Sequence, residues 1–374
     1  MLGTERVKEI YSMLHEIPEP GFQEYKTGSF IATTLTHAGY EVQTEVAGTG
    51  VIGTLHGTDA GPVFALRADM DALQHVVDGK ECIIHSCGHD AHSAMVLAVA
   101  EEVAKRGIRC GTFKVVFQPA EETLFGALRM IETGKLDDIE ILLGIHLRPE
   151  QEAKRGQATP ALYHGASYII EANIAGATAH GARPHLGVNV IDAAAAVVNA
   201  INAIHMNPVE SWSVKVTKLH AGGASLNAIP DQASLAFDLR SQDNTVMEQL
   251  IEKVQAAVEH GAATVGAKAA VTIKGGVPAA VYDVPLIEMA RKSIAKVLGE
   301  KGVLDTIITP GGEDFHFFAQ KKPGLRAAYI GLGCDLSPGL HHPAMKFDTD
   351  ALADGVNILL DMVDQIGRLE EIKR

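Results

Sequence analysis

The sequence predicts a two-domain α/β protein, and three observations carry that reading. At 374 residues the chain exceeds what one hydrophobic core ordinarily supports. Its first part alternates strand-like and helix-like segments, the pattern of an α/β layer around a largely parallel, buried sheet. Its middle runs in β-α-β-β-α-β order, which matches the ferredoxin-like plan. Because α/β character returns near residue 285, the simplest organisation is a discontinuous larger domain, 1–163 and 282–374. An inserted domain then occupies 164–281.

In order along the chain, residues 5–16 read as a helix, and Pro18-Glu-Pro-Gly21 breaks the pattern. A second helix at 24–38 is stopped by Gly39, and strand candidates follow at 50–56 and 63–67. An Ala- and Val-rich helix from about 91 to 106 ends at Gly107, before a strand at 113–117, a helix at 124–133 and a strand at 139–145. In the middle, Ser167–Ile174 alternates like a half-exposed strand, and an Ala-rich helix spans Asn189–Asn207. Strands at 212–219 and 233–239, a helix at 245–264 and a strand near 269–274 complete that domain. The last part gives a helix at 285–298, a strand at 325–331 and a closing helix near 350–370.

A content of 47% hydrophobic and 21% charged residues is ordinary for a soluble globular protein. The formal charge of −14, offset by no basic block, argues against nucleic acid and anionic membranes as partners. Four cysteines, at 82, 87, 110 and 334, lack paired spacings, so no disulfide framework is expected and a reducing compartment fits. The first residues read as an amphipathic helix without the apolar core of a signal peptide, and no run reaches the length of a membrane span. A cytoplasmic location is the expectation.

Two runs carry the chemistry. His85-Ser-Cys-Gly-His-Asp90 places a thiol and an imidazole two residues apart, and Gln118-Pro-Ala-Glu-Glu122 supplies adjacent carboxylates. A thiolate, an imidazole and a carboxylate converging on one point suit a transition metal such as zinc or manganese. A further carboxylate left free beside it is what a hydrolase uses to activate water. Each candidate follows a strand: Asp69 and Asp71 after 63–67, Cys87 and His89 after 82–85, Glu121 and Glu122 after 113–117. His146 caps 139–145, and His341-His342 comes after 325–331. In an open α/β sheet, ligands gather beyond the carboxyl ends of the strands.

Plainer readings exist for each part. A lone cysteine is more often a buried structural thiol, but His89 beyond Gly88 reverses that for Cys87. Cys82, Cys110 and Cys334 have no such neighbours and read as structural. Glu121 and Glu122 also suit a helix N-terminus, where the dipole favours them. His92 is either a support for the site or a helix-surface histidine.

Six motifs occur in order: Arg67-Ala-Asp-Met-Asp-Ala-Leu73, Ser86-Cys-Gly-His-Asp-Ala-His92, Gln118-Pro-Ala-Glu-Glu122, Gly144-Ile-His-Leu147, Gly311-Gly-Glu-Asp-Phe315 and Leu340-His-His-Pro343. The set resembles the M20 metallopeptidases, in the amidohydrolase branch of aminoacylases, hippurate hydrolases and auxin-conjugate hydrolases. The likeness runs from about residue 10 to residue 365. It implies a zinc-exopeptidase-like catalytic domain with an inserted ferredoxin-like α+β lid and dimerisation domain. It also implies two divalent metal ions per subunit, zinc or manganese, with cobalt and nickel also compatible.

Carried over motif by motif, Cys87, His89, Glu122, His146 and His341 look like the metal ligands, Cys87 as the bridge. His342 competes with His341 for the last role. Glu121 looks like the general base and Asp71 like a group steadying a ligand. Gly176-Ala-Thr-Ala-His180 resembles the segment whose histidine reaches the partner subunit's active site and holds the oxyanion, which implies a homodimer through the inserted domain. Asn227 and Arg240 resemble residues that grip the substrate carboxylate, a task for which the arginine fork is suited. A surface salt bridge at a strand end is the rival reading of Arg240.

The activity implied is hydrolysis of an N-acyl amino acid to a carboxylic acid and a free amino acid. A dipeptidase or carboxypeptidase of the same family is one rival, and a catalytically silent metal-binding relative is another. Cysteine chemistry, with Cys87 as nucleophile and His89 as base, suffers from poor spacing. One departure stands out: only the thirteen residues Gln74 to Ser86 separate Leu73 from Cys87, where the family usually carries a longer loop, often opening with proline. That shortening alters one wall of the pocket, so the substrate does not transfer from a relative.

Overall fold

A parallel sheet organises the first of two units in the computed structural model, which describes residues 4–369. This unit comprises the chain up to Tyr163, Val281–Ile308 and the chain from Asp314 on. Helices α1 (Thr4–His15) and α2 (Tyr25–Ala38) lead into strands β1 (Glu41–Val46), β2 (Gly50–His56) and β3 (Asp59–Asp69). A hairpin, β4 (Leu73–Val77) and β5 (Lys80–Ile84), precedes α3 (His89–Arg106), β6 (Cys110–Gln118), α4 (Gly126–Glu132) and β7 (Ile141–Pro149). The chain then builds the second unit from β8 (Ala166–Ala175), α5 (Val190–Asn202), β9 (Trp212–Ala221), β10 (Gln232–Ser241), α6 (Asn244–Ala263) and β11 (Lys268–Val277). It returns for α7 (Val284–Leu298), α8 (His316–Lys321), β12 (Arg326–Leu336) and α9 (Ala351–Gly367).

The main sheet has the order β1-β2-β6-β3-β7-β12, with the short strand Ala158–Thr159 at its far edge. Strands β6, β3, β7 and β12 are parallel, and the outer pairings are antiparallel. Covered on both faces, the parallel strands read as nearly continuous apolar runs, and Phe64, Leu66, Phe113, Val115 and Leu143 are fully buried. Helix α3 is buried on every side from Ala91 through Ala100, and all but His92 and Ser93 of these residues are apolar, as suits a helix inside a core. It packs against β3, α1, α2 and α9.

The second unit holds a four-stranded antiparallel sheet in the order β9-β10-β8-β11, the 2-3-1-4 arrangement of the β-α-β-β-α-β plan. Asn189 caps α5 by accepting from the Ile191 amide, and Asp243 caps α6 by accepting from the Val246 amide. Ile170, Phe237, Leu250 and Val254 form its core. Thr309–Glu313 also belongs to this unit, although the sequence places it in the larger domain.

Several elements differ from the sequence reading. Helix α5 stops at Asn202 rather than 207: Ala203 turns, 204–207 hold no regular structure, and Pro208 biases Asn207 away from helix. Strand β7 runs to Pro149, since β12 pairs with it as far as Leu336 opposite Pro149, so His146 lies inside the strand. The run Cys82–His85 is no strand of the main sheet; Cys82–Ile84 pairs with β4. The turn of that hairpin is Asp78-Gly79, both at positive φ (50° and 76°), as a two-residue type I′ turn requires. The helix expected at 124–133 is α4, Gly126–Glu132, preceded by a separate 3₁₀ turn, Glu121–Thr123. Among the described residues no helix is long and apolar enough to cross a membrane.

Buried histidines couple this fold to pH. His316 on α8 is 2% exposed, and burial, aided by the Arg67 charge, pushes its pKa down to about 3. Unfolding returns the ring to its ordinary value near 6.5, so between these values the unfolded chain binds the extra proton. Stability should therefore fall as pH drops through that window, by on the order of 1 kcal/mol per pH unit from this ring. Urea unfolding of wild type and His316→Gln across the window should give a shallower slope for the variant; equal slopes would refute the assignment.

Candidate metal centre

Two left-handed turns shape the centre. Gly88, at φ 90°, stands between β5 and α3, and a side chain there would meet Leu147 at 3.1 Å. The bend lets Cys87 Sγ and a ring nitrogen of His89 come within 4.8 Å of each other and of His146. The second turn is at Ala120, φ 57°, where β6 gives way to the 3₁₀ turn bearing Glu121 and Glu122. A residue with a Cβ in this region costs roughly 1 kcal/mol or more and must be held. Buried Glu24 holds it: Oε1 accepts from the Ala120 amide at 2.8 Å, and Oε2 accepts from Thr49 Oγ1 at 2.5 Å.

Asp71 joins the two turns. Its Oδ1 lies 2.9 Å from His89 Nδ1, and its Oδ2 accepts from the Glu122 amide at 3.0 Å. With Nδ1–H committed to a carboxylate, Nε2 is the His89 nitrogen turned toward the other donors. That atom stands 3.8 Å from Glu122 Oε1 and 3.9 Å from Glu121 Oε2. His89 Nε2 and Glu122 Oε1 are both buried and without a hydrogen-bond partner among the described residues.

Opposite them, His146 Nδ1 donates to Leu147 O at 2.7 Å, so its Nε2 lone pair faces Cys87 Sγ, 3.7 Å away. His341 Nε2 lies 3.3 Å from Glu122 Oε1. The donors form two triads, Cys87–His89–His146 and Cys87–Glu122–His341, that share the thiol, and a third, His89–Glu121–Glu122. Unsatisfied buried atoms are costly. Here they sit among sulfur, imidazole and carboxylate donors, a set that fits divalent transition-metal ions.

Electrostatics agree. Burial alone would drive His89 neutral, but the charges of Asp69 and Cys87 and the Asp71 hydrogen bond outweigh it and hold its pKa well above the ordinary value. Burial, then Glu122, pushes the Cys87 thiol well up. Burial would also raise Glu122, yet the contacts with His341 and His89 bring it below the usual carboxylate range. Burial, with His92 adding to it, keeps His146 well below the usual imidazole value, hence neutral. The pocket gathers acidic groups that lack enough positive charge of their own.

Peptidase family M20/M25/M40 matches residues 65–365 of the chain. The chain belongs to this family. It is 31% identical to the N-acetyl-L-cysteine deacetylase of Bacillus subtilis (strain 168), over 91% of this chain and 83% of that protein. It is 32% identical to thermostable carboxypeptidase 1 of Saccharolobus solfataricus, over 84% and 83% respectively. Its backbone superposes on a dinuclear metal-binding M20 peptidase of Bacillus subtilis with a TM-score of 0.81, at 26% identity, covering 98% and 99% of the two chains. The M20 chain is thus a metal-binding hydrolase of two-domain α/β fold.

Beneath the donors of this M20 chain lies Arg67, wholly buried. Its Nη1 donates to Asp69 Oδ2 (2.6 Å) and to the Tyr329 hydroxyl (3.3 Å), its Nη2 to Asp314 Oδ1 (2.9 Å) and its Nε to Gln118 Oε1 (2.9 Å). Asp314 also accepts from Gln118 Nε2 and from the Ala127 amide, and its own amide donates to Glu121 Oε1 at 3.4 Å. Burial works against the Asp69 carboxylate, but His89, Arg67 and His92 hold its pKa well below the usual range. His92 is no surface residue. Its Nδ1 lies 2.8 Å from Asp69 Oδ1 and its Nε2 accepts from the Leu147 amide at 3.0 Å.

Of the two adjacent histidines, His341 reaches Glu122, whereas His342 Nδ1 accepts from the Ala344 amide. His180, Asn227 and Arg240 lie in the second unit. His180 pairs with Ala228 across a two-residue ladder, and the Gly181 amide donates to Asn227 O, which makes His180 and Asn227 neighbours. Arg240 forms a two-pronged pair with Asp238 at 2.9 Å on each bond, the salt bridge of its rival reading. No role follows from the sequence alone for Glu24, Arg67, Asp314 or Ser86, although the last three stand in its ordered motifs. The one available signal was Arg67 itself, a charge at the end of an apolar buried run.

Replacing Arg67 with Met should leave Asp69 and Asp314 buried without their cation and lower stability by about 3–5 kcal/mol. Denaturant unfolding measures this, and a loss under about 1 kcal/mol would contradict the role given to Arg67.

Proposed function

We propose that the chain is a dinuclear metal-dependent amidohydrolase that cleaves N-acyl amino acids to a carboxylic acid and a free amino acid. The carrying observation is the pair of donor triads sharing Cys87, with the Glu121 carboxylate beside them. The similarity to an N-acetyl-L-cysteine deacetylase over most of both chains supports the acyl amino acid as substrate.

In this reading Cys87, His89, Glu122, His146 and His341 hold the two cations. Divalent ions bound there polarise a carbonyl and lower the pKa of water. Glu121 takes the proton of the attacking water on a carboxylate oxygen and delivers it to the amide nitrogen as the C–N bond breaks. Asp71 keeps the proton of His89 on Nδ1 and fixes the turn that carries Glu121 and Glu122. His180 Nδ1 accepts from the Ala182 amide at 3.1 Å, which leaves Nε2–H as a donor for the oxyanion. By the family pattern that donor comes from the partner in a homodimer formed through the inserted domain.

Asn227 and Arg240 hold the substrate carboxylate. Arg240 offers Nη1 for this, the atom that donates to Pro310 O at 3.4 Å. Four cysteines without disulfide partners fit a cytoplasmic setting, and the charge of −14 fits a small-molecule substrate without nucleic acid or anionic membrane as partner. Zinc suits the thiolate best, and manganese, cobalt and nickel share the remaining donors.

A peptidase reading is favoured by the similarity to thermostable carboxypeptidase 1. Cysteine nucleophilic catalysis is disfavoured: Cys87 is buried and its thiol is pushed up, whereas reactive cysteines sit in electropositive, partly exposed places.

Glu121→Gln should reduce turnover by about a thousandfold or more while metal content per subunit stays unchanged. Steady-state assays beside metal analysis check this, and retained turnover would remove Glu121 from the role. With metal restored after stripping, N-acetyl and N-benzoyl amino acids should be hydrolysed with higher kcat/KM than matched dipeptides. The reverse order would select the peptidase reading.

A further inference from the structure

His341 is the least anchored of the five donors. Its side chain is 56% exposed, and its backbone sits at φ 63°, in the left-handed region that a residue with a Cβ occupies only when its surroundings hold it. The main-chain hold is a hydrogen bond from the His341 amide to Ser86 O at 2.7 Å. Ser86 is fully buried and immediately precedes Cys87. Its own amide donates to Ile84 O at 2.9 Å, and its hydroxyl lies 2.8 Å from His75 Nε2. Ile84 and His75 belong to the two strands of the β4–β5 hairpin, which fills the shortened stretch between Leu73 and Cys87.

We propose that His75 is a positioning residue for the Cys87–Glu122–His341 triad, acting through Ser86. The hairpin fixes both ends of Ser86, and the Ser86 carbonyl fixes the backbone that presents His341. His75 touches no donor atom. Its effect runs along one side-chain and one main-chain hydrogen bond, and it falls on the Cys87–Glu122–His341 triad rather than on His89 and His146, which are held by Asp71 and Leu147 O. This rests on the reading of His341 as a ligand.

Zn²⁺ titration of the metal-free full chain against a chromophoric chelator tests it without an activity assay. In His75→Ala one of the two ions should bind about tenfold or more weakly, and the other should stay within about twofold of wild type. His75→Gln, which keeps a polar partner for the Ser86 hydroxyl, should recover most of the loss. Ser86→Ala should repeat the effect of His75→Ala and add little to it in the double variant, probing the link from its other end should His75→Ala fold poorly.

Two unchanged affinities in His75→Ala, while His341→Ala loses one ion, would overturn the positioning role and leave the ligand reading standing. A His75→Gln variant as weak as His75→Ala would overturn it too. Retention of both ions by His341→Ala would instead remove the ligand reading, and the positioning role with it.

Discussion

The Arg67 guanidinium, removed from water, has its donors met by Asp69, Asp314, Gln118 and Tyr329, and these partners are what shape the donor cluster. Taking a charge out of water costs several kcal/mol unless its partners are placed well, so their positions are not free to drift. Through Asp69 the constraint passes to His92 and on to the Leu147 amide, one residue beyond His146. Through Asp314 it passes to the start of α4 and to Glu121. One buried cation is thus linked both to β7 beside His146 and to the carboxylate turn, the two halves between which the donors converge.

That cation does not neutralise the region. Asp69, Asp71, Glu24, Glu121 and Glu122 crowd around the same turns, with the Cys87 thiol among them. Imidazoles answer part of the charge: Asp69, Cys87 and the Asp71 hydrogen bond outweigh burial and raise the pKa of His89, and Glu122 raises that of His341. His146 goes the other way and stays neutral, lone pair inward. A site that gathers these acidic groups, and that leaves His89 Nε2 and Glu122 Oε1 without a hydrogen-bond partner among the described residues, is arranged for divalent cations. The fold holds these groups in place and the bound ions complete their charge balance.

The sequence made some of this legible and hid the rest for physical reasons. Cys87, His89, Glu121 and Glu122 stood out because rare chemical types cluster around residues that bend the chain, and the β-α-β-β-α-β rhythm of the middle could be followed strand by strand. His92 was ambiguous because α3 is buried all round, so helical periodicity gives it no outward face. His146 was placed at a strand end because a polar residue closes an apolar run, whereas pairing with β12 carries the strand three residues further. The β4–β5 hairpin escaped although Asp78-Gly79 announces its turn, since strands this exposed lack the apolar runs that mark the buried sheet. Arg67 opens a motif yet its role stayed hidden for the opposite reason: one of the two carboxylates that make its burial tolerable, Asp314, is 247 positions away.

The donors also differ in how firmly the fold owns them. Cys87, His89 and His146 sit on or beside elements whose neighbours are wholly buried, and each imidazole has its second nitrogen fixed by a carboxylate or a carbonyl. Glu122 is fixed through its amide, and His341 through an amide alone, on an exposed loop. Rotamer freedom therefore rises from the sheet side of the cluster to the solvent side. A centre graded in this way keeps the Cys87–His89–His146 donors in one geometry while the Cys87–Glu122–His341 donors can yield.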